Sequence, residues 1–252
     1  MLSSERLVDE AARIIGAVEQ AQLPARLMGA VAIRFSYRKA ADMYDRLDRP
    51  LSDIDLMAYW RVNRQLESLL NGLGYFQDRR IIAFHEVQRN FYTHKDLGIK
   101  VDVFFDKLRM CHEIDFRGRL ELHPKTITPT DLFLEKIQIV KISEKDIKDL
   151  IVIFSEVDLT EDERGINVKY VTDRMSWDWG FYYTTTINLN KVREFLGRYS
   201  DKLREDEVKT VSERIDRLLG AIESKPKSAK WKLRAKIGPS VKWYNEVEDL
   251  IR

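Results

Sequence analysis

Leu51-Ser52-Asp53-Ile54-Asp55-Leu56 sets two carboxylates one residue apart inside an apolar, strand-like run. On a β-strand, side chains i and i+2 share a face, so Asp53 and Asp55 point the same way while Ile54 and Leu56 point into a core. Two carboxylates held that close repel each other unless a cation or a proton lies between them. A divalent metal is the simplest occupant, and Mg²⁺ ordinarily uses one or two carboxylates together with phosphate oxygens. Metal-assisted phosphoryl or nucleotidyl chemistry is therefore the leading expectation.

Upstream of this run, Leu7, Ala11, Ile14, Ile15 and Val18 recur at helical spacing after the capping candidates Ser3 and Ser4, and Pro24 stops the helix. Arg26-Leu27-Met28 reads as a short strand entering Gly29, and residues 30–37 as a helix leaving it. A glycine at such a junction lets a phosphate chain approach the backbone, and the helix N-terminus that follows favours negative charge. The polar, charged stretch 37–50 reads as a loop. Downstream, residues 61–70 form an amphipathic helix with Leu66, Leu69 and Leu70 inside, ended by Gly72 and Gly74.

Residues 81–92 and 98–105 read as strands. In the second, Ile99, Val101, Val103 and Phe105 alternate with Lys100, Asp102, Phe104 and Asp106, which puts Asp102 on the face away from the valines. Asp106 competes with it as a third acid on that face. Residues 114–122 suggest a hairpin turning at Arg117-Gly118-Arg119. Thr128-Pro129-Thr130-Asp131 has the grammar of a helix start, with a threonine cap and proline at the first position. Ser143-Glu144-Lys145-Asp146 repeats it before a helix to about Phe154. The polar stretch 158–167 is the expected boundary, giving domains at 1–157 and 158–252. The second domain is expected to be mostly helical, with helices at 190–198 and 205–222.

The ordered set of strand, Gly29, helix, Asp53-Ile54-Asp55 and a later Asp102 resembles the DNA polymerase beta-like nucleotidyltransferase superfamily, over roughly residues 25–155. The resemblance implies an α+β nucleotidyltransferase fold, a mixed twisted sheet flanked by helices. It implies three carboxylates, Asp53, Asp55 and Asp102, holding two Mg²⁺ ions. Ions roughly 3.5–4 Å apart can activate an attacking hydroxyl and neutralise a leaving pyrophosphate. Gly29 and the Ala30 amide would cradle an NTP, although Ala30 stands where the family carries a second glycine or a serine. Leu132-Phe133-Leu134-Glu135-Lys136 and Glu144-Lys145-Asp146-Ile147-Lys148-Asp149-Leu150 further resemble the later motifs of the AbiEii-like (MenT-like) toxin nucleotidyltransferases. Lys145 takes the place of their usual arginine. This narrower resemblance implies Lys136 near the triphosphate, Asp146 or Asp149 near the active site, Arg49 as the basic residue ahead of the acids, and an antitoxin partner. Arg49, Ser52, Lys136 and Asp149 are the expected nucleotide-binding residues. Asp146 has a structural explanation in a capping box with Ser143.

Composition sets outer limits. The 252 residues carry a net charge of only +2, but residues 225–242 hold seven basic side chains and no acidic one. With Trp231 inside that stretch and Trp243 directly after it, the tail could contact RNA phosphates and stack on bases. The same residues fit a solvated helix face held down by two tryptophans. Trp177, Trp179, Phe181, Tyr182 and Tyr183 read as packing residues. The single cysteine, Cys111, excludes an internal disulfide and a cysteine-rich zinc site. His85, His94, His112 and His123 lack ligand spacing. With no apolar run of membrane-spanning length and no signal peptide, a cytoplasmic protein is expected. The expected reaction is transfer of an NMP from an NTP to an acceptor hydroxyl, RNA of a tRNA-like kind. An aminoglycoside-type small-molecule acceptor and a catalytically silent nucleotide- or RNA-binding module are the alternatives.

Overall fold

The structure is a computed structural model that describes residues 3–77 and 89–246. It divides into two compact units, Met1–Leu108 with Ile114–Thr128, and Arg109–Glu113 with Pro129–Arg252. The division thus falls at 128/129, whereas the sequence placed its boundary at 157/158.

In the first unit, α1 (Ser4–Gln20) is capped by Ser3, whose side chain accepts from the Arg6 N–H, and buries Leu7, Ala11, Ile14, Ile15 and Val18. The chain then enters β1 (Ala25–Met28) and α2 (Gly29–Ser36). The stretch read as a loop contains a helix, α3 (Ala40–Arg46). Its apolar stripe of Ala40, Met43, Tyr44 and Leu47 is fully buried. The i, i+3, i+4 spacing was present in the sequence but masked by the charged residues around it. After β2 (Ile54–Ala58) comes a 3₁₀ turn at Trp60–Val62, then α4 (Asn63–Gly72) and β3 (Tyr75–Gln77). Of the expected strand 81–92, residues 81–88 lie outside the described residues. The remainder falls in β4 (Arg89–His94), followed by β5 (Lys100–Phe105).

Among the described residues these strands form one five-stranded mixed sheet in the order β1-β2-β5-β4-β3. β1 and β2 are antiparallel, β2 and β5 parallel, and β4 antiparallel to both β5 and β3. The parallel pair at the centre requires a crossover, which α4, β3 and β4 supply. Ile54, Leu56, Val101 and Val103 are buried on one face of that pair, so the acids alternate to the other. The helices α1 and α2 pack against β1, and α4 against β3. The expected hairpin at 114–122 lies earlier in the chain: β6 (Lys107–Arg109) pairs with β7 (Glu113–Asp115). Arg117-Gly118-Arg119 is a turn after it, held by the Gly118 N–H donating to the Tyr59 hydroxyl (2.9 Å).

The second unit is mostly helical. It contains α5 (Pro129–Ile137), with proline at the first position, and α6 (Glu144–Glu156), capped by Ser143 accepting from the Asp146 N–H. The polar stretch 158–167, the expected boundary, holds a short strand pair: β8 (Leu159–Thr160) lies parallel to β9 (Ile166–Asn167). Gly165 is required there, because a Cβ would fall 2.4 Å from the Asp158 carbonyl oxygen. Then come α7 (Val168–Trp177), α8 (Trp179–Arg198), α9 (Glu205–Ser224) and α10 (Ala229–Ile237). The helix α6 packs on α5, α8 and α9, and contributes an unbroken buried run from Ile147 to Phe154. No helix among the described residues is long and apolar enough to cross a membrane.

Candidate active site

Asp55 and Asp102 are ladder partners across the parallel β2–β5 pair, and Met28, the last residue of β1, is the partner of Asp55 on its other side. Ladder partners project to the same face. The face opposite the valines therefore carries Asp55 and Asp102 side by side, with Met28 leading directly into Gly29. Asp53 lies just before β2, half-buried, and accepts a hydrogen bond from the Ser52 hydroxyl (2.8 Å).

Gly29 is pressed against this pair. Its φ is +72°, and a Cβ at that position would stand 2.5 Å from Asp55 Oδ2. Only glycine combines that backbone conformation with that proximity. Immediately beyond it α2 begins with no side chain capping its first turn. Its leading backbone thus lies beside a carboxylate, and Ala30 contributes an amide but no hydroxyl.

Asp102 is buried, with only 6% of its side chain exposed, and its Oδ2 accepts from Arg89 Nη2 at 2.7 Å. The Arg89 guanidinium also lies over the rings of Phe91 and Phe104, 4.4 Å from each centroid. A flat, weakly hydrated cation is well suited to that slot. No local pattern in the sequence marks Arg89, because its partnership with Asp102 exists only through the β4–β5 pairing. Asp106, the competing third acid, lies past the end of β5 at φ +59° and accepts from the Trp60 N–H (3.2 Å). It closes a turn, which leaves Asp102 as the acid in register with Asp55.

The carboxylate oxygens of Asp53, Asp55 and Asp102 are the donor chemistry that Mg²⁺ prefers. Among the described residues, however, no group of three acidic, histidine or cysteine side chains is gathered closely enough to hold an ion. The Arg89 cation is one partner of Asp102 in this arrangement. Two of the expected acids are thus brought into register, and the third flanks them.

The remaining expected residues lie apart from this cluster in their roles. Arg49 is buried, donates to the Pro50 carbonyl (2.5 Å) and sits over the Tyr44 ring. Lys136 and Asp149 belong to the second unit. There Lys136 Nζ stands 3.0 Å from the fully buried Asp149 and 3.5 Å from Asp146. Asp146 accepts from the Ser143 hydroxyl (2.7 Å) and donates its N–H back to it (3.3 Å), which is the serine cap of α6 rather than the expected reciprocal capping box.

No protein-family model matches the chain, and neither does any curated protein. Among solved structures it is similar to an antigenic nucleotidyltransferase-like protein from Paracoccidioides brasiliensis. The two are 12% identical, with 90% of this chain and 97% of that one covered at a TM-score of 0.42. At that similarity the match carries no argument about this chain's chemistry.

Proposed function

We propose that the first unit is a nucleotidyltransferase that moves an NMP from an NTP to an acceptor hydroxyl. The observation that supports this best is the in-register Asp55–Asp102 pair with Gly29 at φ +72° against Asp55. In this reading the triphosphate lies along the Gly29–Ala30 backbone at the start of α2, where the helix dipole favours it. The acceptor oxygen attacks the α-phosphorus, the bond to the β-phosphate breaks, and pyrophosphate leaves. Asp53, Asp55 and Asp102 would hold Mg²⁺, which when bound neutralises charge on the phosphates. Asp102 takes the acceptor proton once Arg89 has released it. The acceptor is RNA, and an antitoxin-type partner would follow from the narrower sequence resemblance.

The Arg89–Asp102 ion pair favours a second reading, a catalytically silent nucleotide-binding module whose third acid is permanently neutralised. Incubation with each labelled NTP, Mg²⁺ and either total RNA or small hydroxyl acceptors separates the readings. Label transfer that Asp55→Asn abolishes is the expected outcome. An NTP-dependent thermal shift without transfer would establish the silent module. Label on a small molecule alone would exclude RNA as acceptor.

A further inference from the structure

Within the second unit lies a cavity of about 490 Å³ that the proposed chemistry does not use. Four of the chain's five tryptophans line it: Trp177, Trp179, Trp231 and Trp243. Small-molecule pockets typically span ~300–1,000 Å³, and this one suits a single nucleotide residue.

Two arginines in its wall are fixed in place. Arg234 lies over the Trp179 ring at 4.4 Å and donates to the carbonyls of Gly238 and Val241, both at 2.6 Å. Carbonyl acceptors orient a guanidinium without cancelling its charge. Arg174 lies 4.5 Å over the Trp177 ring and donates to the Glu113 carbonyl (2.7 Å). Trp177 itself is 53% exposed, although large aromatics are ordinarily covered. Its neighbour Trp179 is buried and stacked on Tyr183 at 5.0 Å. Trp177 is thus an indole held on one side by a cation and open to solvent over half its surface.

The acids of the wall are already engaged. Asp178 caps α8 by accepting from the Phe181 N–H (3.0 Å) and faces Arg174 at 3.4 Å, while Glu113 pairs with Arg109 at 3.3 Å. Positive charge continues beyond the cavity along α10. Lys230, Lys232 and Lys236 are exposed, and they take part in no ion pair among the described residues. A pocket for a free nucleotide needs one cationic cluster, whereas Lys230 in the wall and further lysines spread around the same helix suit successive phosphates of a strand.

We infer that this cavity captures an unpaired nucleotide of an RNA strand, with its base on Trp177 and the adjoining phosphates along Arg234 and the α10 lysines. Capture requires neither NTP nor metal. Only its use in presenting the strand's end as acceptor rests on the nucleotidyltransferase reading.

The test is the fluorescence anisotropy of a labelled single-stranded oligoribonucleotide titrated with full-length Asp55→Asn protein, without NTP or Mg²⁺. Trp177→Ala is expected to weaken binding about 5- to 150-fold, the range of one lost base stack. Its exposed position makes an unchanged melting curve the check that the fold is intact. Replacing Lys230, Lys232 and Lys236 by Gln should lower the slope of log K against log salt by about 0.7 per lost phosphate contact. Unchanged affinity in Trp177→Ala would overturn the proposal. So would AMP competing as effectively, nucleotide for nucleotide, as the oligonucleotide, because that makes a free nucleotide the ligand. Equal binding of heparin with no effect of Trp177→Ala would reduce the surface to a general polyanion site. RNA binding that persists when no label transfer occurs would leave this inference standing while the reaction fails.

Discussion

At the scale of single residues, Gly29 and Arg89 carry the most specific consequences. Gly29→Ala places a methyl group against Asp55 Oδ2 in a backbone conformation that L-residues avoid. It should cost about 1–3 kcal/mol in denaturant-midpoint measurements and weaken NTP binding at the same time. Normal stability with normal NTP binding would show that the close approach is dispensable. Arg89→Met should be more revealing, because it removes a cation paired with the buried Asp102 carboxylate. Breaking a buried pair costs on the order of 3 kcal/mol, so the variant should melt earlier in EDTA. If the acids bind metal, millimolar Mg²⁺ should restore more of that loss than it adds to the wild type. Failure of Mg²⁺ to rescue the variant would remove the carboxylates from the metal-binding reading. The acids and Gly29 were legible in the sequence because strand alternation and the strand–glycine–helix order are local patterns. Arg89 was not, because residues 89 and 102 meet only through pairing of β4 with β5.

At the scale of elements, local grammar worked where caps and periodicity agreed. Ser3, Pro129 and Ser143 each stand where their helices begin. It failed for α3, whose stripe is short and surrounded by charge, and the polarity of the 158–167 stretch concealed the short β8–β9 pair. That stretch is tied down in part by Arg214 on α9. Its guanidinium donates to the carbonyls of Phe154 (2.8 Å) and Ser155 (2.9 Å) at the end of α6 and pairs with Asp158. The end of α6 thus receives a cation where the helix dipole favours one. Arg214→Ala should cost roughly 2 kcal/mol, the loss of charged hydrogen bonds to carbonyls. The exposed Arg217→Ala, one turn along, should stay within about 0.5 kcal/mol of wild type. Equal effects in urea titrations would refute the capping role.

At the scale of the whole molecule, one buried side chain leads us to expect acid sensitivity. His112 is buried, stacked on Phe181 at 4.8 Å, with Nε2 2.8 Å from the Thr184 hydroxyl. Burial, the main cause, pushes its pKa down to about 4. The unfolded chain takes up this proton near pH 6.5 and the folded chain only near 4, so the unfolded state gains protons first. Stability should therefore fall as pH drops through that window. His112→Phe keeps a ring on Phe181 and removes the titration, so its melting temperature should decline less steeply between pH 6.5 and 4 than that of the wild type. Parallel profiles would assign the acid loss to carboxylates instead.

The sequence by itself determined that a strand carrying Asp55 follows directly on Asp53, that Gly29 joins a strand to a helix, and that the chain is an α+β protein with a mostly helical second part. That Asp53 falls just outside the strand was not legible. These follow from periods of two and 3.6 residues and from capping chemistry, all local in the chain. Only the tertiary structure decided that Asp55 and Asp102 are ladder partners, that Arg89 holds Asp102, and that the late tryptophans surround one cavity. Each of those joins residues far apart in sequence. Strand order and helix packing bring them together through burial of apolar surface, which has no direction along the chain.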